Sequence, residues 1–268
     1  MHQQQIGFHA GKYGHFPIPP LANLIFLALI FHMILFLASP SLTGGYQLED
    51  KEAHHCVRVL RKRVGDEVHC IDGNGRYIHA VIAGIQDDRV ALTVLRTEDG
   101  WGEPPIRLTL AVSPLKDKDR FEWLMEKAVE LGVSSIVPIL CERTEKYSEK
   151  LNLTRIKSIL LSATKQCKRA RIPDLAAPMP LARLLAQPES HPRWMAWCET
   201  HDAPQWPAEA APPQALTWLI GPEGDFSQKE ADLAKDAGAA LVSLGRARLR
   251  TETAAMYALA WVKAHAGF

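Results

Sequence analysis

No two cysteines of this chain have the C-x-x-C spacing of a zinc or redox motif. There are five in 268 residues: Cys56, Cys70, Cys141, Cys167 and Cys198. An odd, scattered set argues against a disulfide framework or a cysteine-built zinc site, and it fits a reducing, cytoplasmic setting. Each reads as a small buried hydrophobe. The neighbours His54 and His55 point apart, so no metal is expected from them. An excess of one charge is also missing. The formal net charge is +1, so any basic surface that meets nucleic acid must be local. Repeats and low-complexity tracts are absent. Two familiar nucleotide loops are missing too. No Gly-Lys-Ser/Thr follows the glycines, so there is no Walker A loop, and no G-x-G-x-x-G follows a strand. What remains is a globular composition, 47% hydrophobic and 23% charged, long enough for one large domain or two ordinary ones.

One long apolar run is present, LANLIFLALIFHMILFLA over 21–38. It approaches the ~20 residues that span a bilayer. Only Lys12 precedes it, which is a poor n-region for a signal peptide. The preferred parsing starts at Met33. MILFLASPSL is then a buried first strand and a Ser/Pro turn, and 1–32 form an extension of unclear role. A membrane anchor and a cleaved signal are the alternatives.

From Met33 to about Thr97 the pattern is strand-like. DEVHCIDGNGRYIHAVIAG alternates apolar residues on both sides of Asp72-Gly73-Asn74-Gly75, a hairpin signal. RVALTVL follows as another strand, and short strands with tight turns predict a small barrel over 33–100. TEDGWGEPP, Thr97 to Pro105, has linker composition. Beyond it the period changes. IRLTLAV reads as a strand. DRFEWLMEKAVELG places Phe121, Leu124, Met125, Ala128 and Val129 on one helical face and stops at Gly132. SSIVPIL is the next strand, so 106–268 is predicted to be an α/β domain with a largely parallel sheet. A second amphipathic helix spans Leu153 to Cys167. RWMAWCE, ALTWLIG and LVSLG are buried strands, and a helix from Thr251 to His265 closes the chain.

Two strand-to-helix turns carry the chemistry. In WLIGPEGDFSQKE, Ser227 and Glu230 form an S-x-x-E capping box, so the turn Gly221-Pro222-Glu223-Gly224-Asp225 precedes a helix start. Ligands of α/β sheets sit at such places. Gly221 and Gly224 admit close approach to the backbone, and Pro222 stiffens the loop. The carboxylates of Glu223 and Asp225 would repel a pyrophosphate and suit a ligand with a cationic centre. A tight connection that binds nothing is the bland alternative. In SLGRARLRTETAA, Thr251 or Thr253 can cap the last helix and Glu252 suits its first turn. Arg246, Arg248 and Arg250 alternate, which in an extended loop points them one way; a solvated face is the alternative. KQCKRAR puts four basic residues at the end of the second helix, with Arg143, Lys146 and Lys150 upstream. HHCVRVLRKR adds Arg58, Arg61, Lys62 and Arg63 on the barrel. Such runs can contact phosphates, with a solvated helix end as the equal alternative, and two basic segments on separate domains suit a nucleic acid channel better than either alone.

Together LIGPEGDFSQKE, SLGRARLRTETAA, ERTEKY, ATKQCKRARIP, WCE and HHCVRVLR make the chain from Met33 onward resemble the RsmE family. These are bacterial small-subunit ribosomal RNA uridine N3-methyltransferases of the SPOUT superfamily. The resemblance implies a PUA-like RNA-binding barrel followed by an α/β domain with a deep C-terminal trefoil knot. It implies S-adenosylmethionine as methyl donor, no metal, 16S ribosomal RNA as substrate and a homodimer, with no membrane partner. The donor contacts it implies are Cys198, Glu199, Leu219, Ile220, Gly221, Pro222, Glu223, Gly224, Leu244, Gly245, Leu249, Arg250, Thr253 and Ala254. RNA contacts fall on Arg58, Arg61, Arg63, Lys165, Gln166, Lys168, Arg169 and Arg171. The chain departs from the family pattern at Asp225, where glycine is usual, and over Lys165 to Arg169.

Methyl transfer to uracil N3 requires that nitrogen to lose its proton, and the charge spreads onto the flanking carbonyl oxygens. An arginine fork can hold those oxygens. Arg250 is the first candidate, then Arg248 or Arg143. Glu252 either orients an arginine or takes the proton, and water is the alternative base. Three rivals stand beside this reading. They are another SPOUT methyltransferase acting on a ribose 2′-hydroxyl or a different base, a non-catalytic RNA-binding knot protein, and a membrane-tethered protein.

Overall fold

The computed structural model describes residues 33–41, 44–145, 151–199 and 213–268. The 21–32 part of the apolar run, Lys146 and Lys150 lie outside the described residues. Among the described residues no helix is long and apolar enough to cross a membrane.

The first sheet is built from β1 (Leu35–Leu37), β2 (Ser39–Pro40), β3 (Tyr46–Glu49), β4 (Glu67–Ile71), β5 (Arg76–Gln86) and β6 (Arg89–Asp99). The spatial order is β1-β4-β5-β6-β3-β2. Only Ala38 separates β1 from β2, so one stretch of chain pairs with both ends of the sheet and curls it into a barrel. Closure of this kind leaves no long free edge. The expected hairpin is present, with Cys70 opposite Ile78 and Val68 opposite Ala80. Their side chains share a core with Phe36, Leu48, Ile82 and Val90. Two features differ from expectation. β6 runs on to Asp99, into the stretch with linker composition, because Arg76 pairs with Asp99 across the strands at 2.7 Å. And 50–59 is helical, with α1 (Asp50–His54) passing into a wide π-type turn, His55–Val59. Ala53 and Cys56 of that segment are buried against the barrel.

The second sheet contains β7 (Arg107–Val112), β8 (Ser135–Leu140), β9 (Asp174–Leu175), β10 (Met179–Pro180), β11 (Arg193–Ala196), β12 (Ala215–Ile220) and β13 (Ala240–Val242). Its order is β10-β8-β7-β12-β11-β13, with β9 also on β8, and every pairing is parallel. Alternation along β7 and β12 serves two cores. Leu108, Leu110, Leu216 and Trp218 pack on one face against α2 (Lys118–Glu130), α3 (Leu153–Gln166) and α6 (Thr251–Ala266). Ala111 and Leu219 face the other way, with residues of α4 (Leu181–Leu185) and α5 (Gln228–Asp236). A sheet covered on both faces needs continuous apolar strands, which is how SIVPIL and ALTWLI read. The α2 face is the predicted one: Phe121, Leu124, Met125, Ala128 and Val129 are its buried residues. The short β9, β10 and α4 were not anticipated, since two- to five-residue elements carry no period to detect.

The connection between the sheets is tied down. The Glu103 carboxylate accepts from Arg169 Nη2 at 2.7 Å and from the backbone N–H groups of Ala170 and Arg171.

Candidate functional site

Strands β12, β11 and β13 are neighbours, and their C-terminal ends open into one cleft. Each wall has a local cause. After Ile220 the chain makes a tight turn, with Asp225 N–H donating to the Pro222 carbonyl at 2.9 Å. Buried Phe226 anchors it. A Cβ on Gly221 would lie 3.1 Å from the Phe226 nitrogen, so any side chain there presses on the turn. The capping box then starts α5: Ser227 accepts from Glu230 N–H and Glu230 accepts from Ser227 N–H. Such a cap contributes about 1 kcal/mol. The second wall is Ala196 to Cys198, where Trp197 N–H extends the ladder to the Val242 carbonyl. The third is Leu244 to Thr251, which turns at Gly245 with φ 112°.

Of the predicted donor contacts, Cys198, Ile220, Gly221, Pro222, Glu223, Leu244, Gly245, Leu249 and Ala254 line this cleft. Glu199, Leu219, Gly224, Arg250 and Thr253 do not. Leu219 packs in the core beneath and pairs with Met195 and Ala111. Sequence reasoning missed Ala196, Trp197 and Ala247 as lining residues and read Thr251 only as a helix cap. Their signal was adjacency, since Trp197 precedes Cys198 and Ala247 lies between Arg246 and Arg248.

The arginines separate by environment. Arg143 donates to the carbonyls of Gly224, at 2.8 Å, and Phe226, so it braces the turn from outside the cleft. Arg248 lines the cleft and donates to the Glu223 carbonyl. Arg246 and Arg250 are exposed, with no ion pair among the described residues. The loop bends at 246–247 and is not the extended strand that alternation required. Arg250 is itself the N-cap of α6, with no side-chain cap bond, so neither Thr251 nor Thr253 caps that helix. Thr251 is instead buried at the cleft. Glu252 does hold an arginine, but one that was not foreseen. Arg120 of α2 reaches both its oxygens at 2.6 Å, and this hydrogen-bonded pairing raises the Arg120 pKa.

The basic runs also divide. Arg58, Arg61 and Arg63 are exposed on the barrel, and Gln166 at the end of α3 and Arg171 beyond it are exposed as well. Lys168 is half-buried, and desolvation lowers its pKa. Lys165 is paired with Glu52 of α1. Arg169 is 4% exposed and donates to the carbonyls of Val129 and Val133 as well as to Glu103. The expectation of an RNA contact at Arg169 is therefore corrected: its guanidinium closes the end of α2. Among the described residues, no group of His, Cys, Asp and Glu side chains is placed to hold a metal ion.

Comparisons with known proteins agree on the family. An RNA methyltransferase domain matches residues 102–263, and an RNA methyltransferase PUA domain matches 48–95. A ribosomal RNA small subunit methyltransferase E from Synechocystis is 30% identical over 221 residues, covering 81% of this chain and 72% of that one. A probable rRNA-methyltransferase from Porphyromonas gingivalis superposes with a TM-score of 0.77 at 36% identity, over 87% of this chain and 98% of the other. A ribosomal RNA small subunit methyltransferase E from Neisseria gonorrhoeae bound to S-adenosyl methionine gives 0.74 at 29% identity, over 87% and 98%. The chain belongs to this ribosomal RNA small subunit methyltransferase E family of RNA methyltransferases, with a PUA-like domain ahead of its methyltransferase domain.

Proposed function

We propose that the cleft binds S-adenosylmethionine and that the protein methylates uracil N3 of one uridine in 16S ribosomal RNA of the small subunit. The observation that carries this reading is the meeting of three parallel strand ends at one cleft, with exposed arginines at its rim. The residues fit the donor. The walls combine apolar side chains, glycine backbone and the carboxylates of Glu223 and Asp225, which suit an adenosine carrying a cationic sulfonium. When bound, that group supplies an electrophilic methyl. The chain itself supplies position and charge. Arg250 is exposed and available to the uracil carbonyl oxygens as N3 loses its proton. Arg248 shapes the cleft, Arg143 holds the Gly224 turn in place, and Glu252 keeps Arg120 beside the last helix. N3 lies on the pairing edge, so the target uridine is unpaired or flipped out when it reacts.

The remaining assignments follow from the same reading. Residues 33–100 act as the RNA-binding barrel and 106–268 as the catalytic domain, with Arg58, Arg61, Arg63 and Arg171 toward the RNA backbone. The trefoil knot is favoured by topology. β13 lies at the sheet edge beyond β11, yet α6 after it packs back over β12 and α2. A homodimer is favoured by Trp123 on α2 and Tyr257 on α6, large side chains left 47% and 48% exposed. The setting is cytoplasmic, where small ribosomal subunits are found.

The test is transfer of labelled methyl from S-adenosylmethionine to small subunits lacking native methylation, read by nucleoside mass spectrometry. Labelled 3-methyluridine is expected. A 2′-O-methyl or other methylated base would overturn the N3 assignment and keep the donor.

A further inference from the structure

Asp225 is one of the two carboxylates on the cleft wall, and the fold holds it at both oxygens. Its backbone is left-handed, φ 63°, a region that few residues other than Gly, Asn and Asp enter. Both carboxylate oxygens are engaged by backbone. Oδ1 accepts from Phe226 N–H at 2.8 Å and Oδ2 from Cys198 N–H at 3.0 Å. The donors belong to different walls: Phe226 follows β12 and Cys198 follows β11. One side chain therefore joins two walls and holds its charge at the cleft surface. Its field reaches the Cys198 thiol, whose pKa is pushed up to about 11, by burial first and then by Asp225. Among the described residues, the charged side chains lining the cleft are Glu223, Asp225 and Arg248. Two carboxylates against one guanidinium leave the lining net negative by one charge. Glu223 is exposed and its carboxylate takes a single 3.3 Å bond from Lys116 N–H, so Asp225 is the anion that the fold fixes in place.

We infer that Asp225 is a specificity-determining residue, whose fixed carboxylate makes the cleft prefer cationic S-adenosylmethionine to the neutral S-adenosylhomocysteine left after transfer. The inference rests on the donor assignment above. The two ligands differ by one methyl group and one positive charge, so the net charge of the lining acts on one and not on the other wherever the sulfonium sits. A single charge ~10 Å away at an effective dielectric of ~40 discriminates about fourfold. The consequence is that fresh donor competes better than spent product for the empty cleft.

The experiment is calorimetric titration of both ligands into the full chain and into two variants. Asp225→Asn keeps the size, the tolerance of a left-handed backbone and one acceptor oxygen, and loses the charge. Asp225→Gly suits the backbone and loses both bonds and the charge, so it serves if the first variant is unstable. Thermal melts confirm folding. The ratio of homocysteine-product Kd to donor Kd is expected to fall about fourfold in both variants. The difference in this ratio between wild type and variants should shrink as salt is added. If both ligands weaken together and the ratio holds, Asp225 is only a structural tie and the inference is overturned. If the wild type binds neither ligand, the donor assignment falls as well. If it binds the donor and the ratio survives in both variants, only this inference falls.

Discussion

Lys165 to Arg171 and Arg246 to Arg250 read alike in the sequence: dense positive charge with no acid between. The structure uses them in opposite ways. The first is largely consumed by the fold. Arg169 is buried on two carbonyls and Glu103, and Lys165 is paired with Glu52 of the barrel. The second is presented, with Arg246 and Arg250 exposed and Arg248 at the cleft. The difference lies in the partners that tertiary structure brings within reach. A buried guanidinium needs its desolvation offset by several acceptors, and only the first stretch finds them. Charge density therefore marks a candidate surface, and the fold decides whether the charge remains free.

The largest effect that would sharpen this contrast is on stability. Arg169→Ala leaves Glu103, 13% exposed, without its cation. A loss of about 3–5 kcal/mol is expected, read as a lower urea midpoint, with RNA affinity of the folded fraction unchanged. A stable variant with weakened RNA binding would erase the distinction between the two stretches. Next comes Arg250→Ala, the converse case. Stability should stay within about 0.5 kcal/mol, while kcat drops about 100-fold and donor Kd is preserved. Full activity would move the oxyanion role elsewhere, first to Arg248. The smallest effect is Lys165→Ala. Its pair with Glu52 is partly exposed, 22% and 16%, so screening leaves about 1 kcal/mol, measurable in the same urea series. No loss would return Lys165 to the set of free cations.

The legible part of the fold was the periodic part. The α2 face, the β4–β5 hairpin and the Ser227 capping box were readable because each depends on residues fewer than about twenty apart. Of the site, the Gly221 turn and the Gly245 loop were readable as strand-to-helix turns. Arg120 was not, because its partner Glu252 lies 132 residues away. Nor was the internal position of Arg169, whose acceptors sit on α2 and between the sheets. The threonine caps at 251 and 253 were plausible chemistry that the chain did not use, since the cleft wall draws Thr251 inward.

By itself, the sequence determined the strand and helix periods, the change from short hairpin strands to alternating strands and helices, and the two glycine-bearing strand-to-helix turns. These are local properties, set by side-chain spacing and by what glycine, proline and capping residues permit. Tertiary structure alone decided that β11 lies between β12 and β13, so that three strand ends share one cleft. It also decided which arginines stay free and that Asp225 joins two walls. Each of these depends on partners brought together from distant parts of the chain, where burial and hydrogen bonding outweigh local preference.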